Sequence, residues 1–142
     1  MSVVEQMKGI HVVVVAVNNL DEAIEAYQKL GFELLNRTPR EKWGLDAAQF
    51  NAGGGSMIEL LTPVAEDKPV AQAVRKFLDK NGEGVYEVAI QVGDLDAVHR
   101  HVKEKGARII AEPHPLPSNP ARKVMWISPK STHGVFLEFI TG

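Results

Sequence analysis

The sequence predicts an α+β fold. Two tandem β-α-β-β-β modules join into a cupped, mostly antiparallel sheet with the helices outside. Three observations predict it. The first is a repeat: Gly9-Ile10-His11-Val12-Val13-Val14-Val15-Ala16-Val17-Asn18-Asn19-Leu20-Asp21 returns, 75 positions on and without a gap, as Gly84-Val85-Tyr86-Glu87-Val88-Ala89-Ile90-Gln91-Val92-Gly93-Asp94-Leu95-Asp96. Gly9/Gly84, Val13/Val88, Val17/Val92, Leu20/Leu95, Asp21/Asp96 and Gly31/Gly106 are identical pairs, and self-similarity at a fixed spacing marks a duplicated unit. The second is the order of patterns within each copy: a β-branched run, a helical period, then three short strands. The third is economy. Each module alone leaves open sheet edges, which are costly when exposed, and joining the two sheets covers them. The concave face is then the natural ligand site.

The elements follow in order. Residues 12–17 are β-branched and near-continuously apolar, as a buried strand requires. Asn19 or Asp21 caps a helix running to about residue 30, with Ala23, Ile24 and Tyr27 on one face and Gly31 as the stop. Residues 32–36 read as a strand, and Thr38-Pro39 as a turn. Residues 45–50 and 56–61 read as strands around the hairpin turn Gly53-Gly54-Gly55. A connector follows, then a helix at 70–80 with Val70, Val74, Phe77 and Leu78 at core spacing. The second copy gives a strand at 87–92, a helix at 95–105 stopped by Gly106, and a short strand at 108–111. A proline-rich surface loop at 113–120 precedes strands at 123–127 and 135–140. The chain is thus read as one domain over 1–142, with module one at 9–62, a linker helix at 68–80 and module two at 84–141.

Bulk properties exclude several function classes. The chain has 142 residues and a formal charge of −2. Its Lys and Arg form no run that would track phosphates, so nucleic acid is excluded as a partner. It has no cysteine, which removes disulfides, thiolate metal sites and cysteine nucleophiles. No apolar run spans a bilayer, and residues 1–8 lack a signal-peptide core, so a cytoplasmic protein without membrane partners is expected.

Strand periodicity sorts the faces. Val13, Val15 and Val17, matched by Val88, Ile90 and Val92, should pack under the helices. Val12, Val14 and Ala16, matched by Glu87, Ala89 and Gln91, should line the cavity. Glu59 and Glu138 are the odd residues, each an acid inside an apolar last strand. A carboxylate there is expensive to bury unless it is paired or metal-bound.

These residues resemble the vicinal oxygen chelate superfamily, which holds glyoxalase I, fosfomycin-resistance enzymes, extradiol dioxygenases and methylmalonyl-CoA epimerase. The epimerase branch is the most similar. The segments that carry the resemblance are Gly55-Ser56-Met57-Ile58-Glu59-Leu60-Leu61-Thr62-Pro63, Glu66-Asp67-Lys68-Pro69-Val70-Ala71, Lys80-Asn81-Gly82-Glu83-Gly84, and Pro129-Lys130-Ser131 with Gly134-Val135-Phe136-Leu137-Glu138. The resemblance implies a cleft around one divalent metal, with ligands from the first and last strands of each module. The metal would stabilise an enolate-like intermediate while a glutamate moves the proton. The last-strand ligands fall on Glu59 and Glu138, and the second first-strand ligand on Glu87. The remaining ligand position falls on Val12, which cannot bind a metal. His11 lies one residue off, where only a bulge would turn it inward, and it is kept as a further ligand on that condition. An acid that some epimerases carry on the third strand has Asp46 one position off.

Three close carboxylates need a cation or a raised pKa. The expectation is therefore one hard or borderline divalent ion, Mg, Mn, Fe or Co, with Zn or Ni as further options. Glu59 and Glu138 are the catalytic candidates, and Glu59, Glu87, Glu138 and His11 the metal candidates. The implied activity is an isomerase (epimerase) or lyase that abstracts a proton next to a carbonyl. The substrate is a small molecule, an acyl-CoA or a 2-oxo compound, and the assembly a homodimer. The alternative is a metal-free member that binds a flat ligand between Trp43, Trp126 and Phe136 without turnover.

Overall fold

Two heavy atoms on Cβ make a valine run costly in a helix and comfortable in a strand. In the computed structural model, which describes residues 2–142, the first strand, β1, covers Met7–Ala16. The chain continues through α1 (Leu20–Lys29), β2 (Glu33–Arg40), β3 (Leu45–Gly53) and β4 (Ser56–Pro63) to α2 (Pro69–Asn81). Then come β5 (Gly84–Val92), α3 (Leu95–Glu104), β6 (Ile109–Leu116), β7 (Asn119–Ile127) and β8 (Phe136–Ile140). The β-α-β-β-β order occurs twice around one linking helix, as the repeat predicts.

Equivalent residues of the repeat start and stop the two equivalent helices. Asn19 Oδ1 accepts from the Glu22 amide at 3.1 Å, and Asp94 Oδ1 accepts from the Ala97 amide at 3.1 Å. Each satisfies an orphan donor of a first turn. Gly31 and Gly106 follow the helices with φ of +95° and +80°, a backbone region that glycine enters without a Cβ clash.

By their contacts the residues fall into two units. One is Val12–Tyr86; the other joins Glu87–Gly142 to the residues up to His11. The division therefore cuts β1 between His11 and Val12, a point the linear repeat does not mark. Gln6 shows why the leading segment goes with the second copy. It is buried; its backbone oxygen accepts from the Gly93 amide at 2.9 Å and its side-chain Oε1 from the Asp94 amide at 2.9 Å.

In the Val12–Tyr86 unit the strand order is β2-β3-β4-β1. β4 runs parallel to β1 and antiparallel to β3, and β3 is antiparallel to β2. Val17, Leu20, Ile24, Ala48, Phe50 and Leu60 form the core with Val15 and Tyr27 at its margin. Val15 and Val17, assigned to the helix side, are on it. α2 buries Ala71, Val74 and Leu78, and Phe77 meets Tyr86 edge-on at 5.2 Å.

The other unit has the order β5-β8-β7-β6, with β8 parallel to β5 and antiparallel to β7. Its core is Val92, Leu95, Val98, Met125, Ile127 and Phe139, with Ile90 beside it.

Proline misleads the sequence reading twice. Thr38-Pro39, read as a turn, lies inside β2, which runs on to Arg40. The stretch 113–120, read as a loop, is mostly strand: β6 carries Pro113 and Pro115, and β7 starts at Asn119. The reason is common to both. β2 and β6 stand last in their strand orders, and a terminal strand tolerates a proline whose missing N–H faces away from the ladder. β6 also shifts register between Ala111 and His114 and between Pro115 and Leu116.

Candidate active site

Glu59 is placed by strand register. On β4 it stands beside Val14 of β1 and opposite Gln49 of β3, so it shares a face with Val12, Val14 and Ala16. It is only 9% exposed, and that burial is compensated. Arg40 Nη2 donates to Oε1 at 2.7 Å, and Gln49 Nε2 donates to the same oxygen at 2.9 Å. Asn36 Nδ2 in turn donates to Gln49 Oε1 at 3.1 Å, which fixes the amide. The ion pair is well shielded, with side-chain exposures of 22% for Arg40 and 11% for Glu59. Both donors grip Oε1, and neither of these bonds engages Oε2.

Asp46 is on the other face. It pairs with Arg37 at 3.0 Å, and Arg37 also pairs with Asp21 of α1. The single-residue offset seen in the sequence therefore separates Asp46 from Glu59, as the period of two demands. Its Oδ1 is shielded and accepts no hydrogen bond among the described residues.

Glu138 sits on β8, 8% exposed. It is in register with Ala89 of β5 and Trp126 of β7, while Glu87 is in register with Phe136. Glu87 and Glu138 thus share a face two register positions apart on neighbouring strands. Trp126 Nε1 donates to Glu138 Oε1 at 2.7 Å. The indole lies edge-on to His114, centroids 5.5 Å apart and planes at 88°, and to Phe136 at 5.8 Å and 73°.

His11 is beside a cation. Arg122 Nη1 lies 3.4 Å from its Nε2, and burial together with the Arg122 charge lowers its pKa from the ordinary 6.5. Arg122 also donates from Nε to the Thr141 carbonyl at 2.8 Å. A guanidinium in that place opposes a second cation on the imidazole.

Among the described residues no group of three or more His, Asp or Glu side chains is placed to hold a metal ion. That is poor for zinc, whose catalytic sites take three protein ligands. It is compatible with a hard ion such as Mg²⁺, which uses one or two carboxylates and completes its shell with water and substrate oxygens. Glu87 and Glu138 are donors of that kind. Glu59 is already paired with Arg40.

Sequence reasoning missed Arg40, Gln49 and the indole of Trp126 as partners of the two glutamates. Gln49 was within reach. The triglycine turn closes the hairpin with Gly53 opposite Ser56, and a register shift between Asn51 and Gly53 then sets residue 49 against residue 59. Arg40 was hidden by the misread proline. A separate open cavity of about 670 Å³ along α2, lined in part by Gln72, Arg75, Lys76 and Lys80, contains none of the candidate carboxylates.

With this geometry in view, residues 11–125 match the Glyoxalase/Bleomycin resistance protein/Dioxygenase superfamily. The chain belongs to that superfamily. Its sequence is 32% identical over 128 residues to a mitochondrial methylmalonyl-CoA epimerase of Bos taurus, covering 89% of this chain and 70% of the relative. The crystal structure of methylmalonyl-CoA epimerase from Mycobacterium tuberculosis superposes with a TM-score of 0.82 at 32% identity, over 99% of this chain and 92% of that one. A variant of the Streptomyces coelicolor epimerase, solved with 2-nitronate-propionyl-CoA, gives a TM-score of 0.79 at 31% identity, over 96% and 98%. Within the superfamily the chain's kinship is with isomerases that handle acyl-CoA thioesters. Among the described residues no helix is long and apolar enough to cross a membrane.

Proposed function

We propose that the chain is an acyl-CoA epimerase, which removes the proton from the carbon next to a thioester carbonyl and returns one on either face. The observation that carries this reading is Glu59, a shielded carboxylate fixed through Oε1 by Arg40 and Gln49. A carboxylate held by one oxygen presents the other in a defined direction, and a general base needs that geometry first. Glu59 Oε2 takes the proton. The C–H electron pair passes into the carbonyl as an enolate, which is planar; a proton delivered by water to the opposite face gives the other epimer, and Glu59 releases its own proton to solvent. Arg40 keeps the carboxylate compensated in its shielded setting and places a positive charge beside the developing anion.

Glu87 and Glu138 would hold a hard divalent ion such as Mg²⁺ or Mn²⁺. Bound there, such an ion would supply Lewis-acid chemistry. Glu138 is therefore assigned to the cation with Glu87, and Glu59 to the proton. A cytoplasmic setting and a homodimer complete the reading, the second by the base rate of two-fold assemblies.

The test is deuterium uptake from D₂O at the α-carbon of methylmalonyl-CoA and a panel of acyl-CoA and 2-oxo compounds. The native chain should exchange, and Glu59→Gln should lose about 100-fold or more of the rate while still binding the thioester. A second reading, a binding module without turnover, is favoured by the edge-on aromatic group of His114, Trp126 and Phe136. Tight thioester binding with no exchange in the native chain would select it.

A further inference from the structure

We infer that Trp126 is a positioning residue for Glu138: its indole N–H sets which carboxylate oxygen faces outward, and its ring is wedged so that it cannot turn away. The inference rests on the reading of Glu138 as a functional carboxylate.

Trp126 stands directly opposite Glu138 across an antiparallel pair, where facing side chains lie closest. The indole N–H is a donor only, and at 2.7 Å from Oε1 it makes a short, charge-assisted bond. Its ring is held on two sides. Phe136, on the strand of Glu138 itself, meets it nearly perpendicularly. His114 meets it from β6, and His114 is tethered because its Nδ1 donates to the Glu112 carbonyl at 2.8 Å. Orientation therefore passes from a backbone carbonyl through an imidazole and an indole to one carboxylate oxygen. A flexible donor would cost more entropy to hold in one geometry; tryptophan has only two side-chain torsions to fix.

The internal duplication supplies the control. Gln49 holds the same register position opposite Glu59 and donates to the same oxygen, Oε1, at 2.9 Å. A donor opposite the last-strand glutamate is thus present in both copies, while the group that provides it differs. In the Val12–Tyr86 unit the carboxylate also meets a guanidinium. In the other unit the indole donor is neutral, and the second acid, Glu87, shares the face. The indole therefore fixes Glu138 through a neutral donor where the other unit uses an amide and a guanidinium.

The test compares Trp126→Phe, which keeps an aromatic ring and removes the donor, with Trp126→Gln, which copies the other unit. Two readouts are taken on the full chain: kcat and KM for α-proton exchange, and Mn²⁺ affinity by titration. Phe should lower kcat or weaken Mn²⁺ binding by about 10- to 100-fold, the usual cost of losing a partner that orients a ligand, with KM little changed. Gln should recover most of either loss. Equal behaviour of Phe and Gln in both readouts, whether both intact or both impaired, overturns the inference and leaves Trp126 a packing residue. Absence of exchange by the native chain overturns the epimerase reading instead, and the Phe-to-Gln difference in Mn²⁺ affinity still decides the role of Trp126.

Discussion

Gln49 and Trp126 occupy the same place in the two copies of the repeat: each faces the last-strand glutamate of its own unit and donates to that residue's Oε1. The shared feature is the bond, and the difference is what surrounds it. Glu59 has a cation at 2.7 Å. Glu138 has an aromatic wall and a neighbouring acid. A duplicated pair of carboxylates has thereby acquired two surroundings, one with a guanidinium and an amide on the carboxylate and one with an indole. This divergence supports the proposal that gives the proton to Glu59 and a cation to Glu87 and Glu138.

The Arg40–Glu59 pair makes a stability prediction. Removing one partner of a shielded pair strands the other charge, which costs more than the pair contributes. Arg40→Ala should therefore destabilise the chain by about 1–3 kcal/mol, allowing for partial solvent screening. The double variant Arg40→Ala with Glu59→Gln should be less destabilised than Arg40→Ala alone. Urea unfolding of the three proteins measures this; a double variant that is the least stable of the three would contradict it.

His11 predicts a pH dependence. Burial and Arg122 lower its pKa below the ordinary 6.5. Above 6.5 the ring is neutral in both folded and unfolded chains and contributes no slope. As the pH falls through 6.5 the unfolded chain takes up the proton first, so stability declines until the lowered folded value is passed. Replacing His11 by Asn should flatten the decline just below pH 6.5 without changing stability at pH 8. Urea midpoints at pH 8, 6.5 and 5.5 test it, and identical slopes for the two proteins would refute it.

The two equivalent caps predict a matched pair of losses. Asn19→Ala and Asp94→Ala each remove a side-chain acceptor from a first-turn amide, at a cost of about 1 kcal/mol each. Asn19→Asp should retain most of its stability, since aspartate holds the equivalent place at residue 94. Thermal unfolding reads both, and an unchanged midpoint for either alanine variant would show that its bond is dispensable.

What could be read in the sequence follows from how local each feature is. The duplicated order, the cap narrowed to Asn19 or Asp21 and the stops at Gly31 and Gly106 depend on neighbours in the chain, and these were legible. The sorting of Val15 and Val17 from Val12 and Val14 needs only the period of two. Pro39 and Pro115 failed because a proline's meaning depends on whether its strand is at an edge, which no local pattern states. Arg122 beside His11 failed for a stronger reason. The two are 111 positions apart, and an arginine's long side chain leaves no periodic trace. The Trp126–Glu138 bond also lay out of reach, since the long connection between β7 and β8 fixes no register by counting.

The last prediction separates the metal candidates by their surroundings. Glu87 and Glu138 share a face and offer only oxygen, whereas His11 lies against the Arg122 guanidinium. A hard ion with water in its shell needs the first pair and has no use for the imidazole. Glu87→Gln should weaken Mn²⁺ binding by about tenfold or more, because an amide oxygen carries no charge. His11→Asn should leave the affinity within about twofold, and Zn²⁺ should gain little over Mn²⁺ without the three protein ligands it usually takes. Titration of chelator-treated protein with each ion measures all three. Loss of binding in His11→Asn, with Glu87→Gln unaffected, would reverse the assignment and bring the imidazole back as a ligand.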